Sequence, residues 1–332
     1  MEDEDAQPIV VVTFPADAEI RQAFDEGSGG VASLVYLEST PEQDRKAVLR
    51  SARALLSWNP PKELTPEELQ ALGEGQMIQL ISAGADHVPF ADIPESVVVA
   101  GNVGAYAEPM AEHVMAMGLA LAKKLPQRHV ALARGEFRQR PATRSIADLV
   151  VGILGFGGIG KAAAALFRGL GTRINAINTS GLTDEKVDFI GTLADLDTFL
   201  RDSDIVVIVL PLTNDTRGMI GRRELELMKP DAILINVARG GIVDERALYE
   251  HLRDHPEFSA GIDAWWVEPF NGGEFRTEFP FFELPNLLGS PHDSALVPGI
   301  GAVAARRAAE NVLFFIWGDP VRGVVRREDY QD

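Results

Sequence analysis

The segment Val151–Lys161, which reads VGILGFGGIGK, constrains the fold of this chain more than any other feature. An apolar run typical of a buried strand ends there in the pattern G-x-G-x-x-G, and the Ala-rich segment 162–166 that follows is typical of a helix. In such a turn Gly155 permits a tight bend, Gly157 lets the backbone approach a pyrophosphate, and Gly160 lets the helix pack on the strand. The helix N-terminus adds free N–H groups and partial positive charge. We therefore interpret the segment as a dinucleotide-binding turn rather than an ordinary structural turn.

The glycine pattern lies in the middle of the chain, so a domain-sized segment precedes it. With 332 residues and 46% hydrophobic content, the chain is long enough and apolar enough for two domains with separate cores. The net charge of −18 disfavours binding to nucleic acid or to anionic membranes, because both require clustered positive charge. Part of the acidity lies in Glu2–Asp5, which we interpret as a solvated terminus.

The chain contains no cysteine, which excludes disulfides, thiol nucleophiles and cysteine-based metal centres. Its N-terminus is acidic where a signal peptide would be basic, and its apolar runs are far shorter than the roughly 18 residues of a membrane span. These observations predict a cytoplasmic protein. His251 and His255 are four residues apart, but Pro256 follows and no third ligand is evident, so we expect no metal site.

Short apolar segments alternate with polar, helix-forming segments in both halves of the chain, which predicts parallel sheets covered by helices. In the first half the predicted strands are Ile9–Thr13, Ser33–Tyr36, Ala54–Ser57, Met77–Ile81 and Val97–Ala100. In the second half they are Leu149–Leu154, Arg173–Ile177, Ile205–Leu210, Ala232–Asn236, Ser259–Asp263 and Leu287–Gly289. A long helix at about 109–124 is predicted to connect the two halves. The last helix, Pro298–Trp317, has no strand left to follow and is expected to return to the first domain.

Ligands of parallel α/β sheets bind beyond the carboxyl ends of the strands, so the residues that follow each strand are the candidates for chemistry. Arg239, Glu268 and His292 each follow a different strand of the second half. Each residue alone has an ordinary interpretation as a surface or structural side chain. Their occurrence after three strands of one predicted sheet indicates a shared site.

This combination suits hydride transfer to a 2-oxo acid. A planar guanidinium such as that of Arg239 binds a carboxylate through two parallel hydrogen bonds. His292 can donate a proton to the new hydroxyl in reduction and accept it in oxidation. Glu268 beside it would stabilise the imidazolium form. Asp263, at the end of its strand, either orients the nicotinamide amide or simply terminates the strand.

Several blocks resemble the signature blocks of the D-isomer-specific 2-hydroxyacid dehydrogenases. They are Asn236–Gly240, Asp263 with Glu268-Pro269, Ser290-Pro291-His292, Leu210–Thr213 with Thr216-Arg217-Gly218, and the glycine pattern. The resemblance covers nearly the whole chain. It implies an α/β fold with two doubly wound parallel-sheet domains, a flavodoxin-like substrate domain and an inserted Rossmann NAD(P)-binding domain, usually in a homodimer. We expect the substrate domain at residues 1–108 and 295–332, and the dinucleotide domain with the crossover helix at 109–294.

The resemblance also implies the roles of individual residues. Arg239, Glu268 and His292 form the active site of such an enzyme. Ser82–His87 resembles the glycine-containing loop whose backbone amides hold the substrate carboxylate, with Gly84 and Ala85 at the matching positions. The residues expected to bind the dinucleotide are Gly155, Gly157, Gly158, Ile159, Gly160, Asn178, Thr179, Ser180, Leu210, Pro211, Thr216, Val237, Ala238 and Asp263.

The chain departs from the family pattern at two positions. Tyr106 stands where Asn is frequent, and either narrows the substrate pocket, the interpretation we prefer, or belongs to the core. Asn178 stands where a carboxylate usually binds the ribose 2′-hydroxyl of NAD, 18 residues after Gly160. A neutral side chain does not repel a 2′-phosphate, although the segment lacks the usual Arg partner. We expect a modest preference for NADP, with NAD also accepted.

The leading hypothesis is an NAD(P)-dependent D-2-hydroxyacid dehydrogenase that reduces small 2-oxo acids, of the glyoxylate or hydroxypyruvate reductase type. The alternative is a nucleotide-sensing, corepressor-type binding protein with the same fold. Formate enzymes of this fold pair the histidine with Gln, so Glu268 argues against that activity. The identity of the 2-oxo acid stays open.

Overall fold

The structure, a computed structural model, describes residues 7–331. The acidic segment Glu2–Asp5 lies outside the described residues. The chain divides into two compact units. The first runs up to Tyr106 and resumes at Val297, and the second is Ala107–Leu296. The assignment of substrate and dinucleotide roles to these parts of the chain stays a prediction.

The first unit is a parallel sheet covered by helices. Its strands are β1 (Ile9–Val12), β2 (Ser33–Tyr36), β3 (Ala52–Ser57), β4 (Met77–Leu80) and β5 (Val98–Ala100). Its helices are α1 (Ala18–Ser28), α2 (Glu42–Ser51), α3 (Pro60–Glu63) and α4 (Pro66–Leu69), with a long C-terminal helix at Ile300–Trp317. Within the described residues the strand order is β2-β1-β3-β4-β5, and each neighbouring pair is parallel. This is the order of the flavodoxin-like fold, which the resemblance predicted.

The C-terminal helix packs within the first unit, as the sequence predicted. It lies so close to α1 that a Cβ on Gly27 would be 2.7 Å from the Arg306 backbone oxygen. Buried amides fix its register on the sheet. Asn311 Nδ2 donates to Gln79 Oε1 on β4 at 2.6 Å, and Asn102 Nδ2 donates to the Ala304 backbone oxygen at 2.8 Å. Buried amides without such partners would be costly, so these contacts specify one position for the helix.

The second unit begins with helices α5 (Ala107–Ala122) and α6 (Leu125–Ala133). Its strands are β6 (Val150–Leu154), β7 (Arg173–Ile177), β8 (Phe189–Gly191), β9 (Ile205–Ile208), β10 (Ile233–Asn236), β11 (Ser259–Ile262) and β12 (Leu287–Gly289). The intervening helices are α7 (Gly158–Gly169), α8 (Leu196–Asp202), α9 (Arg222–Leu227), α10 (Glu245–Asp254) and α11 (Pro269–Gly272); the C-terminal helix is therefore α12.

The sheet of the second unit has the order β12-β11-β10-β9-β6-β7-β8 in the described chain, and all pairs are parallel. The chain reverses its winding direction between β6 and β9, which is where dinucleotide-binding folds place their ligand. The sequence predicted six of these strands and missed β8. That strand has only three residues at the edge of the sheet and lacks the longer apolar run that marks the others.

A buried carboxylate joins the beginnings of two central strands. Asp204, directly before β9, accepts a hydrogen bond from the Val150 N–H at 2.9 Å and pairs with Arg144 at 2.8 Å and Lys229 at 3.0 Å. Burial raises the pKa of the Asp204 carboxyl. The backbone donor and the two cations outweigh that effect, so its pKa lies below the ordinary value. Asp204 thus supports β6, the strand that leads into the glycine turn.

Among the helices of residues 7–331, none combines the length and the apolar character that crossing a membrane requires.

His251 gives the fold a specific pH dependence. Its ring stacks on His255 and packs edge-on against Phe258, and burial, with His255 nearby, lowers its pKa from 6.5 to about 4. Below pH 6.5 the unfolded chain takes up a proton that the folded chain does not, so stability is complete above pH 6.5 and falls toward pH 4. The full shift corresponds to about 3 kcal/mol, and allowing for partial exposure we expect a loss of about 1–2 kcal/mol.

Urea unfolding of the wild type and of His251→Gln at pH 7.5 and pH 5.0 measures this effect. We expect the variant to lose about 1–2 kcal/mol less free energy of unfolding between the two pH values. His129→Gln, at an exposed histidine on α6, serves as the control. Equal pH dependence in the wild type and His251→Gln would show that His251 does not contribute.

Candidate active site

Two of the three glycine positions in the turn between β6 and α7 have no room for a side chain. Gly155 has φ +107°, and a Cβ there would lie 2.7 Å from the Leu210 backbone nitrogen. At Gly160 a Cβ would overlap the Gly155 backbone oxygen and lie 3.0 Å from Ile153 Cγ2. Larger residues at either position would push the turn or the helix away from the sheet. Both glycines therefore have the structural functions that the sequence pattern predicts.

Gly157, by contrast, faces open space, because a Cβ there would meet nothing within 4 Å. It is the N-cap residue of α7, and no side chain in the described part of the chain caps that helix end. Gly158 and Ile159 form the first turn, whose N–H groups lack partners within the helix. An open backbone surface beside an uncapped helix N-terminus suits a pyrophosphate, so this turn can accommodate a dinucleotide.

Asn178, directly after β7, organises its own loop. Its Oδ1 accepts the Gly181 N–H at 2.7 Å and the Ser180 N–H at 3.1 Å, and its Nδ2 donates to the Leu182 backbone oxygen at 2.8 Å. Thr179 and Ser180 are exposed on this loop. No carboxylate stands at position 178, so the loop presents neutral polar groups at the end of the strand. Their contact with a cofactor stays a prediction.

The other residues predicted to bind the dinucleotide follow β9 and β10. Leu210 is buried and Pro211 is exposed, and the Thr216 hydroxyl donates to the Pro211 backbone oxygen at 2.7 Å. Val237 and Ala238 are buried after β10. These segments lie at the same sheet edge as the glycine turn, because the carboxyl ends of parallel strands share one edge.

The loop that carries Arg239 is packed tightly on the loop after β11. Asn236 Nδ2 donates to the Arg239 backbone oxygen at 2.9 Å, and Asn236 Oδ1 accepts the Ala238 N–H at 3.0 Å. The next residue, Gly240, touches the backbone of the other loop, since a Cβ there would lie 2.6 Å from the Trp266 nitrogen and overlap Trp265. The Arg-Gly sequence therefore places the guanidinium-bearing residue directly against the loop that leads to Glu268.

Trp265 connects all three loops. Its backbone N–H donates to Glu268 Oε1 at 2.8 Å, and its indole Nε1–H donates to the Ser290 backbone oxygen at 2.8 Å. The first bond turns the Glu268 carboxylate back toward the sheet edge. The second ties the β11 loop to the loop after β12, which carries His292.

Glu268 and His292 form a direct contact. The carboxylate is only 4% exposed, and the His292 Nδ1–H donates to its Oε1 at 2.7 Å. His292 has φ +55°, which is uncommon for a residue other than glycine and marks a loop whose conformation is imposed by its surroundings. The histidine is thus held in one orientation by the carboxylate and by its own backbone.

Asp263 imposes the backbone conformation of the His292 loop. This fully buried carboxylate accepts the Ser290 hydroxyl at 2.6 Å, the Asp293 N–H at 3.1 Å and the Ser294 N–H at 3.2 Å. Burial raises the pKa of Asp263, but the hydrogen bonds from Ser290, Ser294 and the loop backbone outweigh it, so its pKa lies below the ordinary value. The carboxylate therefore ties the ends of β11 and β12 together, whatever contact it makes with a cofactor.

His113 on α5 extends this network. Because the Ser290 hydroxyl donates to Asp263, it accepts from His113 Nε2–H, at 3.0 Å. Side-chain ligand atoms of His113, Asp263 and Asp293 lie within 4.8 Å of one another. The Asp263 oxygens are, however, already engaged by the loop donors, and this arrangement fits a structural network.

The candidate substrate loop, Ser82–His87, lies after β4 in the first unit. The Ser82 hydroxyl donates to the Gly84 backbone oxygen at 3.1 Å, and Ala85 is buried. The Tyr106 hydroxyl donates to the Ile81 backbone oxygen at 2.9 Å, directly before this loop. Its ring packs against the core of the unit, and burial raises the pKa of its hydroxyl. Tyr106 supports the base of the loop, and its contact with substrate stays a prediction.

Comparison with known proteins is consistent with this geometry. The model of the D-isomer specific 2-hydroxyacid dehydrogenase NAD-binding domain matches residues 115–294. The chain belongs to this family. It is 30% identical over 289 residues to glycerate dehydrogenase of Methylorubrum extorquens, and the match covers 85% of this chain and 88% of that protein.

Two further similarities extend the comparison. The chain is 36% identical over 178 residues to glyoxylate reductase of Thermococcus gammatolerans, and the match covers 54% of this chain and 52% of that protein. Among solved structures it is similar to a D-isomer specific 2-hydroxyacid dehydrogenase from Xanthobacter autotrophicus Py2 in complex with NADPH and MES. That likeness has a TM-score of 0.79, with 26% identity, and covers 98% of this chain and 100% of the other.

The sequence interpretation missed several residues of the site in this dehydrogenase family member. Trp265, Ser290, Ser294 and His113 hold the strand-end loops together. Ser290 directly follows β12 and Trp265 lies three residues after the end of β11, and these positions at strand ends could have identified both residues. His113 carried none, because its partner is 177 residues away and lies on another element.

The packing of Gly240 on Trp265 leads to a stability prediction. Gly240→Ala places a methyl group against backbone that cannot move aside, and we expect it to lower the free energy of unfolding by about 1–3 kcal/mol. Gly241→Ala is the matched control, because the nearest atoms to a Cβ there are the flexible ends of Leu212, at 3.3 Å, and Arg217, at 3.7 Å. Denaturant unfolding of both variants measures the difference, and equal effects would contradict the packing of these two loops.

Proposed function

We propose that this protein is an NAD(P)H-dependent reductase that converts 2-oxo acids to D-2-hydroxy acids. The observation that carries the proposal is the 2.7 Å contact between buried Glu268 and His292 at the sheet edge where the Arg239 loop and the glycine turn also lie. Family membership supports the reaction class, since the matched model describes 2-hydroxyacid dehydrogenases.

His292 is the proton donor and acceptor in this proposal. Its Nδ1–H is engaged by Glu268, which leaves Nε2 as the ring nitrogen that faces substrate. The protonated ring is the form that supplies a proton to the new hydroxyl during reduction. In oxidation the neutral ring accepts that proton. Glu268 thus keeps the ring in one orientation through both directions of the reaction.

Arg239 is proposed to bind the substrate carboxylate and to polarise the carbonyl group that is reduced. Its side chain is partly exposed at the end of β10, and its backbone is fixed by Asn236. The resemblance also implies that the backbone amides at Gly84 and Ala85 hold the substrate carboxylate. The global charge of −18 makes such local donors necessary, because the overall field repels an anionic substrate.

The glycine turn and the loops after β7, β9 and β10 are proposed to hold the dinucleotide, which supplies the hydride when bound. Gly157 and the first turn of α7 would accommodate the pyrophosphate. Asn178 at the end of β7 favours a modest preference for NADP over NAD, because a neutral amide does not repel the 2′-phosphate. The structural relative from Xanthobacter autotrophicus Py2 is described in complex with NADPH, which agrees with this preference.

The central test is turnover of NADPH and NADH with a panel of 2-oxo acids. Oxidation of the cofactor is monitored through the absorbance band of the reduced nicotinamide. We expect turnover that depends on His292, with His292→Asn reducing kcat by about 10²–10⁴-fold, the range of general acid–base catalysis. Glu268→Gln should cause a smaller reduction of kcat. His255→Gln, at an exposed histidine that directly follows α10, is the control.

Unchanged turnover in His292→Asn would contradict the assignment of the proton donor. No turnover with any 2-oxo acid, combined with retained dinucleotide binding, would instead favour the binding-protein alternative. Equal or higher kcat/KM with NADH than with NADPH would contradict the cofactor preference alone.

Gly157 tests the dinucleotide site separately from catalysis. Gly157→Ala adds a methyl group where the protein itself leaves space, so we expect little change in melting temperature. We expect NADPH affinity, measured by calorimetry, to fall about tenfold, which corresponds to about 1.4 kcal/mol. Gly169→Ala is the matched control, because it lies at the other end of α7 and also faces open space. Unchanged affinity in Gly157→Ala would contradict the proposed pyrophosphate site.

A further inference from the structure

A cavity of about 310 Å³ lies within the second unit, beside the Glu268–His292 pair. Its lining includes the acid–base pair, and it also includes four aromatic residues, here called the aromatic side. The aromatic residues that line it are Trp265, Phe270, Phe275 and Phe282. The proposed reaction uses only the acid–base pair, and among the aromatic residues Trp265 donates hydrogen bonds to the loops that carry this pair.

Close ring contacts define the aromatic side. The Trp265 ring centroid lies 5.2 Å from that of Phe282 and 5.5 Å from that of Phe275. Gly289 on β12 forms the floor beneath them, and a Cβ there would lie 2.8 Å from Trp265 Cζ2 and 3.3 Å from Phe282 Cε1. The rings therefore rest directly on the strand, and their position depends on glycine at 289. These ring contacts form the aromatic wall of the cavity.

The same rings are unusually exposed for their size. Phe270 is 49% exposed, Phe275 is 45% exposed and Phe282 is 62% exposed. Isolated exposed apolar residues are common, but three phenylalanines around one cavity form a contiguous apolar surface. Apolar cavities with a few convergent polar groups are the usual form of a small-molecule site.

The aromatic wall is continuous with the acid–base pair. The Phe270 ring meets the His292 ring edge-on at a centroid distance of 5.1 Å, and Trp265 donates its backbone N–H to Glu268. In a 2-oxo acid the side chain is bonded to the same carbon whose oxygen receives the proton. A substrate whose carbonyl group is served by His292 therefore has its side chain within reach of these rings.

We infer that the cavity binds the side chain of the substrate, and that the preferred substrates are 2-oxo acids with aryl or branched apolar side chains. The inference rests on the proposed function and specifies its substrate class. Glyoxylate has only hydrogen at this position, and hydroxypyruvate has a small polar group, so neither fills an apolar cavity of this size. At about 30 Å³ for each water molecule in the liquid, the volume equals that of about ten waters. An aryl side chain would displace such water from four aromatic faces.

The first experiment compares kcat/KM for phenylpyruvate, 4-methyl-2-oxopentanoate, glyoxylate and hydroxypyruvate with the intact protein. We expect the two apolar substrates to exceed the two small ones by about tenfold or more. In Phe282→Ala, the ratio of kcat/KM for phenylpyruvate to that for glyoxylate should fall by about tenfold. Trp317→Ala, at an exposed aromatic residue near the end of α12 and outside the cavity, should leave this ratio unchanged.

The second experiment measures binding without turnover of the aryl acid. Phenylacetate should inhibit glyoxylate reduction competitively, whereas acetate at the same concentration should not, and Phe282→Ala should weaken the inhibition by phenylacetate. Turnover of glyoxylate with no preference for phenylpyruvate and no competition by phenylacetate would overturn the inference and leave the proposed function intact. That result would indicate that another segment or a second copy of the chain covers the cavity. Absence of turnover with every 2-oxo acid would instead contradict the proposed function itself.

Discussion

The arrangement of the site depends on a buried carboxylate. Glu268 is almost completely removed from water, and a carboxylate in that position is stable only when donors surround it. The Trp265 N–H supplies one donor and the His292 ring supplies another. Because these donors lie at the ends of two different strands, satisfying Glu268 also brings the loops after β11 and β12 together. The requirement for hydrogen bonds and the geometry needed for proton transfer are met by the same contacts.

Glycines determine how closely the neighbouring loops approach this carboxylate. Gly240 allows the Arg239 loop to rest on Trp265, and Gly289 allows Trp265 to rest on β12. Asp263 then holds the His292 loop through the Ser290 hydroxyl and two backbone N–H groups. Trp265 is the common partner of Gly240 and Gly289. Its backbone and its indole ring therefore connect the loop of Arg239, the proposed carboxylate-binding residue, to the loop of His292, the proposed proton donor. The same ring also forms part of the aromatic cavity wall.

Much of the fold was predictable because local patterns determine it. The strands of both sheets have continuous apolar runs, and the order of glycines after β6 requires a tight turn followed by a helix. Arg239, Glu268 and His292 could be selected because parallel strands end at one edge, a rule that needs no knowledge of contacts. Edge strand β8 has only three residues and was not predicted.

The contacts within the site could not be predicted in the same way. Trp265 and His113 act through partners that are distant in sequence, and pairing of that kind depends on the tertiary fold. The hydrogen bond from the Tyr106 hydroxyl to the Ile81 backbone oxygen is another contact between distant residues, and the contact of Tyr106 with substrate stays a prediction. Asn178 was identified correctly as a departure from the acidic pattern, but its hydrogen bonds within the loop 178–182 became visible only in the structure.

In the proposed mechanism, Glu268 holds His292 with Nδ1 protonated and Nε2 available to substrate. ¹⁵N NMR of the histidine side chains tests this arrangement, with His292 assigned among the six histidines by comparison with His292→Asn. We expect His292 to carry a hydrogen-bonded Nδ1 proton at neutral pH and Glu268→Gln to weaken or remove this bond. A His292 ring that is protonated mainly at Nε2, with a spectrum unaffected by Glu268→Gln, would contradict this arrangement.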